Sequence, residues 1–418
     1  MFYSFLTHLS FCFAEMFLMI LISSVLIIES TYAEDEKKKD FLKIFALIGS
    51  LLVGIFLLVE NNSLPKQLFG MTYQIDEFTQ KFKALSMFIF LGYFQFKNIK
   101  TEEILTVLHM ILGVFVVISS NHYILSYLSL ELIGFMAYGL VALEKTKETL
   151  SVSIKYFFFG SFASALLLYS IVNIYGVTGS LYYSEIKNIK FFYHYLLYFS
   201  IFMKLGLIPF HYWLIEVYSK IKYSTIYIFQ TIPKIAFIFF LLKFSSLFSF
   251  KNNLLEYFLF VQLIFSSILL IKGNDLRKII SIYSIISSSF VLCILFFKSL
   301  PILLTFFILT AIALLVLLEE EDSTIIQYTK FFALLSLIGI PPLAGFQLKW
   351  IFIKNLLISE NYLLSLGVVL QSGIFFYAIL YFLKNLMNQE KKYHLGFYEI
   401  KNCFLVLLLL LFNFLIKT

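Results

Sequence analysis

The sequence predicts an all-α polytopic membrane protein of about fourteen transmembrane helices. Three observations predict it. Of 418 residues 61% are hydrophobic and 14% charged, and the mean hydropathy is +0.91, more apolar surface than a soluble domain can hide. Apolar runs of membrane-spanning length recur along the whole chain. The cations behind the formal charge of +7 fall mainly in the short connections between those runs, which is a topological pattern and not a nucleic-acid footprint.

The runs fall at residues 12–29, 41–59, 82–96, 103–119, 121–142, 153–175 and 195–217, then 223–245, 253–272, 279–297, 301–318, 327–357, 361–385 and 402–416. The first thirty residues carry no Lys or Arg, so they read as a retained first span and not as a secretory or transit signal. Odd-numbered connections carry seventeen Lys or Arg, whereas even-numbered connections, with Lys83 counted among them, and the termini carry nine. By the positive-inside rule both termini face away from the cytoplasm or matrix. The acidic runs 34–36 and 319–322 are expected in solvated loops. Cys12, Cys293 and Cys403 lie far apart in apolar segments without metal-ligand spacing, and read as small buried hydrophobes. Arg277 is the sole arginine in a chain rich in Phe, Ile and Lys, the signature of AT-biased coding and of an organellar genome.

With the cations assigned to the connections set aside, six lysines remain. Lys43, Lys155 and Lys243 lie near predicted helix ends, where a long side chain reaches the interface. Lys204, Lys234 and Lys349 lie deep, and Glu131, in LSYLSLELIGFMAYGL, is the matching deep anion. A charge at the centre of a span costs roughly 2.5–3.5 kcal/mol on insertion scales. Four such groups on four spans are retained only if they pair or line a hydrated path, as in a proton or ion route.

The helix breakers agree. Pro209, Pro233, Pro341 and Pro342 lie beside these lysines, with Gly206, Gly339 and Gly345 adding backbone freedom. Interrupted helices at membrane depth line cavities, and their ends solvate ions. Broken seventh and twelfth spans suggest two inverted five-helix repeats, residues 103–245 (spans four to eight) and 246–385 (spans nine to thirteen). A three-helix segment, 1–102, precedes them and a connection with the last helix, 386–418, follows. Lysine suits such a route, because desolvation favours the neutral amine and a nearby carboxylate favours the ammonium. Glu131 beside Lys204 would act as a switch that holds the proton when closed and releases it towards Lys234 when opened. His211, seven residues beyond Lys204, is a candidate relay.

The segments SLELIGFMAYGLVAL, KETLSVSIKYFFFGSFASALLLYSIVNIYGVTGS, MKLGLIPFHYWLIEVY, IPKIAFIFFLL and LSLIGIPPLAGFQLKW resemble subunit 2 of NADH dehydrogenase. This is the antiporter-like membrane subunit family of respiratory complex I. The resemblance covers roughly residues 103–385, and AEMF and FGMTYQIDEFTQKFKAL extend it loosely towards the N-terminus. It implies an antiporter-like fold in which Glu131 is the fifth-span glutamate, Lys204 the seventh-span lysine, Lys234 the central eighth-span lysine and Lys349 the exit lysine of the twelfth span. In RKIISIYSIISSSF, Ser288 stands where the family pattern has a histidine, so a relay through Ser288 would need water.

The resemblance further implies a proton-translocating membrane-arm subunit of NADH:ubiquinone oxidoreductase, a translocase subunit without a redox centre of its own. NADH, FMN, iron–sulfur clusters and ubiquinone would be handled by other subunits. Partners would be other membrane-arm subunits, antiporter-like neighbours and lipids such as cardiolipin, with no nucleic acid. The expected location is the mitochondrial inner membrane, with both termini on the intermembrane-space side. Two other readings use the same residues: a subunit of a cation/proton antiporter, and a structural scaffold in which the lysines face headgroups.

Overall fold

The computed structural model describes residues 12–32, 36–59, 66–185, 191–245, 253–271, 273, 275–297, 299–320 and 324–386. They form fifteen α-helices and one two-stranded antiparallel sheet. The helices are α1 (Phe13–Tyr32), α2 (Glu36–Val59), α3 (Glu77–Tyr93), α4 (Thr101–Ser119), α5 (Tyr123–Ala142), α6 (Lys147–Thr178), α7 (Phe191–Lys204) and α8 (Tyr212–Lys220). They continue with α9 (Tyr223–Ser245), α10 (Asn253–Leu270), α11 (Leu276–Phe296), α12 (Leu300–Leu317), α13 (Thr324–Ile338), α14 (Ala344–Ile358) and α15 (Tyr362–Leu386).

Each of the first thirteen expected spans is a helix or a pair of half-helices; the fourteenth, 402–416, and Cys403 lie outside the described residues. Among the described residues nine helices are long and apolar enough to cross a membrane unaided. The chain is a multi-pass membrane protein. The breaks fall where proline and glycine cluster. The seventh span stops at Lys204 and resumes at Tyr212, and the twelfth stops at Ile338 and resumes at Ala344.

Contacts divide the chain into two compact units, Met1–Leu205 with Ser224–Phe248, and Gly206–Tyr223 with Ser249–Thr418. In the first, α4 packs on α5, α2 on α3 and α6 on α7. Helix α9 is threaded among them: the Tyr227 hydroxyl donates to Ile89 O at 3.2 Å, and Phe239 meets Phe82 edge-on with centroids 4.6 Å apart. In the second unit α10 packs on α11 and α15, and α8 lies against α11.

Several expectations need correction. The connection before the third span is not irregular: β1 (Lys66–Leu68) pairs antiparallel with β2 (Tyr73–Ile75), turning through Phe69, Gly70 and Met71, all at positive φ. The third helix starts at Glu77, earlier than the apolar run, because Asp76 and Thr79 form a reciprocal cap with bonds of 2.8 and 2.9 Å. This places Lys83, expected in a loop, 1% exposed inside α3. Lys243 does not snorkel, since its ammonium donates to Val117 O at 3.0 Å and to Ser120 O, carbonyls at the end of α4. Glu319 is buried rather than solvated, because it directly follows the buried Leu317 and Leu318 that end α12. The two described cysteines, Cys12 and Cys293, are buried, as expected.

Helices α5 and α6 meet at Gly160, where a Cβ would lie 1.8 Å from the Tyr138 hydroxyl. Tyr138 cannot easily swing aside, because Tyr156 and Phe157 hold its ring edge-on at 4.6 and 5.6 Å. Gly160→Ala is therefore expected to destabilise the α5–α6 contact by about 1–3 kcal/mol, read as a lower thermal midpoint of the purified protein.

Candidate functional site

The sequence-predicted pair is present in the first unit. Lys204 is the last residue of α7, and its Nζ lies 2.9 Å from Glu131 Oε1 on α5. The lysine side chain is 5% exposed and the glutamate 18%, so solvent screens the pair little. The backbone fixes this position. Leu205 N still donates to Ile201 O at 2.8 Å, but Gly206, at φ +67°, turns the chain out of the helix. A Cβ there would meet Leu214 at 2.7 Å, so glycine is needed for space as well as for angle. Lys204 thus sits where the unpaired carbonyls of α7 concentrate partial negative charge, which favours an ammonium.

Lys234 lies in the same unit, 5% exposed on α9. Pro233 before it was expected to break the helix and does not: α9 runs on from Tyr223 to Ser245. Proline removes the donor to the Phe229 carbonyl, but close packing holds the helix, and Thr231 turns its hydroxyl back to Tyr227 O at 2.8 Å and Ile228 O at 3.3 Å. The result is a locally weakened hydrogen-bond ladder beside a buried lysine.

In the second unit the twelfth span repeats the lysine-at-a-helix-end arrangement by another route. Gly339, at φ +87°, ends α13, Pro341 and Pro342 carry the chain across the gap, and Lys349 reaches back from α14. Its ammonium donates to Ile338 O, the terminal carbonyl of α13, at 2.6 Å and to Ser372 Oγ at 3.2 Å. It also lies 5.8 Å from the centre of the Phe290 ring. The halves approach closely because Gly345 has no side chain: a Cβ there would lie 1.7 Å from Ser336 O.

The segment holding Pro209 also belongs to the second unit. Its backbone is held by Gln262 of α10, whose Oε1 accepts from Ile208 N at 3.1 Å and whose Nε2 donates to Ile208 O at 2.5 Å. Sequence reading missed Gln262 because it carries no charge; the signal was a lone amide within the apolar run LFVQLIF. Gln262→Leu is expected to leave both Ile208 groups unpaired in a dry site, at about 1–3 kcal/mol, measurable as faster proteolysis at the break. His211 is buried just ahead of α8. Ser288 is buried on α11, its hydroxyl donating to Ser284 O at 2.9 Å, so it presents acceptor lone pairs but no free proton.

The structure thus joins Glu131 to Lys204, places Lys234 in their unit, and assigns Lys349, His211 and Ser288 to the other unit. Chemically, the first unit offers a buried carboxylate–ammonium pair at a helix end, and the second an ammonium held by a helix-end carbonyl. Both are groups that can exchange a proton without a metal or organic cofactor.

Residues 120–375, more than half of the chain, match the family described as NADH:quinone oxidoreductase/Mrp antiporter, TM. NADH-quinone oxidoreductase subunit N of Hydrogenovibrio crunogenus is 29% identical over 242 residues, 53% of this chain and 50% of the relative. NADH-ubiquinone oxidoreductase chain 2 of Coturnix japonica is 28% identical over 292 residues, 66% of this chain and 83% of the relative. The chain spans about half or less of the length of the bacterial relatives it matches. A chain of respiratory complex I from Thermus thermophilus superposes with a TM-score of 0.82 at 21% identity, over 96% of each chain, so the two share the fold. The expected antiporter-like fold is borne out, and the chain belongs to the NADH:quinone oxidoreductase/Mrp antiporter transmembrane family.

Proposed function

We propose that this chain is an antiporter-like, proton-translocating membrane-arm subunit of an NADH:quinone oxidoreductase. The observation that carries the reading is the buried Glu131–Lys204 pair at the end of a half-helix, in a chain of this family. An ammonium in apolar surroundings is tolerated only while a counter-charge is near. With Glu131 in place Lys204 keeps its proton. When quinone reduction elsewhere in the complex draws the carboxylate away, Lys204 passes the proton towards Lys234. Lys349, at the corresponding break of the second repeat, serves as the exit, with His211 and water at Ser288 as relays. Residues 103–245 and 246–385 are the two inverted repeats, and the chain itself carries no redox centre. NADH, FMN, iron–sulfur clusters and ubiquinone belong to partner subunits, and lipids such as cardiolipin cover the remaining apolar faces.

The membrane we assign is the mitochondrial inner membrane, with both termini on the intermembrane-space side. The lone Arg277 in a Lys-rich chain supports organellar coding, whereas a relative at 29% identity comes from the bacterium Hydrogenovibrio crunogenus. A native gel of mild-detergent membranes tests partnership and location together. The chain is expected to co-migrate with a very large band that oxidises NADH in gel and to purify with mitochondria. A smaller band without that activity would instead identify a cation/proton antiporter, the other activity named in the family's description.

A further inference from the structure

The first unit holds a second buried ion pair that the route above does not use. Lys83 of α3 donates to the carboxylate of Glu15 on α1, and the two side chains are 1% and 8% exposed. Tyr73 of β2 joins them, its hydroxyl donating to Glu15 Oε1 at 2.6 Å and accepting from Lys83 Nζ at 3.4 Å. The ammonium lies over the rings of Tyr73 and Phe115, 5.2 and 5.7 Å from their centres. Tyr73 also forms an isolated backbone bridge with Ser120, and Ser120 O accepts from Lys243. Glu15, Tyr73, Lys83, Ser120 and Lys243 thus form one contiguous polar cluster drawn from α1, the hairpin, α3, the end of α4 and α9. Cys12 packs in one cluster with Tyr73, and the Lys243 ammonium lies 6.0 Å from the centre of the Tyr183 ring.

A buried pair of this kind is poor value as a structural rivet, because two apolar side chains of the same volume are often as stabilising. Its place suggests another role. Lys243 is nine residues along α9 from Lys234, about 13 Å at 1.5 Å per residue, so the cluster lies further along the helix that already carries the central lysine. We propose that Glu15 and Lys83 form a further proton-exchange site of the first unit, at its hairpin end. In the exchange an N–H bond of the Lys83 ammonium breaks as an O–H bond forms on Glu15, leaving a neutral amine beside a carboxylic acid with the pair's net charge unchanged. The acid then releases its proton to water at the hairpin, the amine regains one from the Lys243 ammonium, and Lys243 is reprotonated through water from Lys234 on the same helix.

This inference rests on the proton-translocating reading, so its test carries a control for that reading. Lys83→Arg keeps the charge and the hydrogen bonds to Glu15, but a guanidinium does not give up its proton. In the assembled complex reconstituted into vesicles, Lys83→Arg is expected to oxidise NADH normally while its protons moved per NADH fall to the level that Glu131→Gln gives. Full pumping by Lys83→Arg beside deficient Glu131→Gln overturns this site and leaves the main route standing. Full pumping by both overturns the proton route itself. Should Lys83→Arg not assemble, Tyr73→Phe keeps the ring and removes the hydroxyl. The pH profile of pumping is then expected to shift by about half a pH unit or more, and an unshifted profile overturns the proposal.

Discussion

Gly345→Val is expected to prevent accumulation of the assembled protein. At this position even a methyl group would lie 1.7 Å from Ser336 O and 3.5 Å from the Gly339 Cα. The obstacle is backbone on both counts, so no rotamer change relieves it. The two halves of the twelfth span would have to separate by an ångström or more, on the order of a carbon–oxygen contact distance less that gap. Separation would also draw Lys349 from the Ile338 carbonyl that it now meets at 2.6 Å. Overpacking alone typically costs 1–3 kcal/mol, and the stranded ammonium and carbonyl add to it, a total comparable with the stability of many domains. Immunoblotting of membranes should show the chain lost or degraded, with Gly367→Ala, facing movable side-chain tips of Phe260 and Leu263, as a milder control.

Lys349→Met separates chemistry from architecture at the same break. Methionine fills much of the lysine's aliphatic volume and adapts to irregular space, so the protein is expected to assemble. What disappears is the ammonium that Ile338 O and Ser372 Oγ hold in place. If Lys349 is the exit group, proton translocation falls by about tenfold or more, the scale on which a positioned acid–base group acts, while NADH oxidation in uncoupled membranes continues. Lys349→Arg should not rescue it, because a guanidinium holds its proton too tightly to pass it on.

The membrane class, the thirteen described spans and both interrupted helices were legible because each rests on a local signal: apolar runs of spanning length, and Pro–Gly clusters that interrupt them. Glu131 and Lys204 were legible for a similar reason, since a lone charge in a long apolar run has few places to go. Other features were hidden where the deciding partner is distant in sequence. Lys83 sits in the polar stretch DEFTQKFK and looks like a loop cation until the hairpin and the Asp76 cap start α3 early and bring it to Glu15, 68 residues away. Gln262 lacks a charge to draw notice, and its partner Ile208 is 54 residues off. Pro233 shows the opposite error. Its local signal was strong, but the packing of a fully embedded helix overrode it.

Whether the Glu131–Lys204 pair moves protons is read most directly from the number of protons translocated per NADH oxidised by the assembled complex carrying Glu131→Gln. Glutamine keeps the size of the side chain and can still accept from Lys204 Nζ, so assembly and NADH oxidation should persist. A lower proton-to-electron ratio is expected, with partial recovery in Glu131→Asp. An unchanged ratio in fully assembled Glu131→Gln would contradict it and leave the pair a structural contact between α5 and α7.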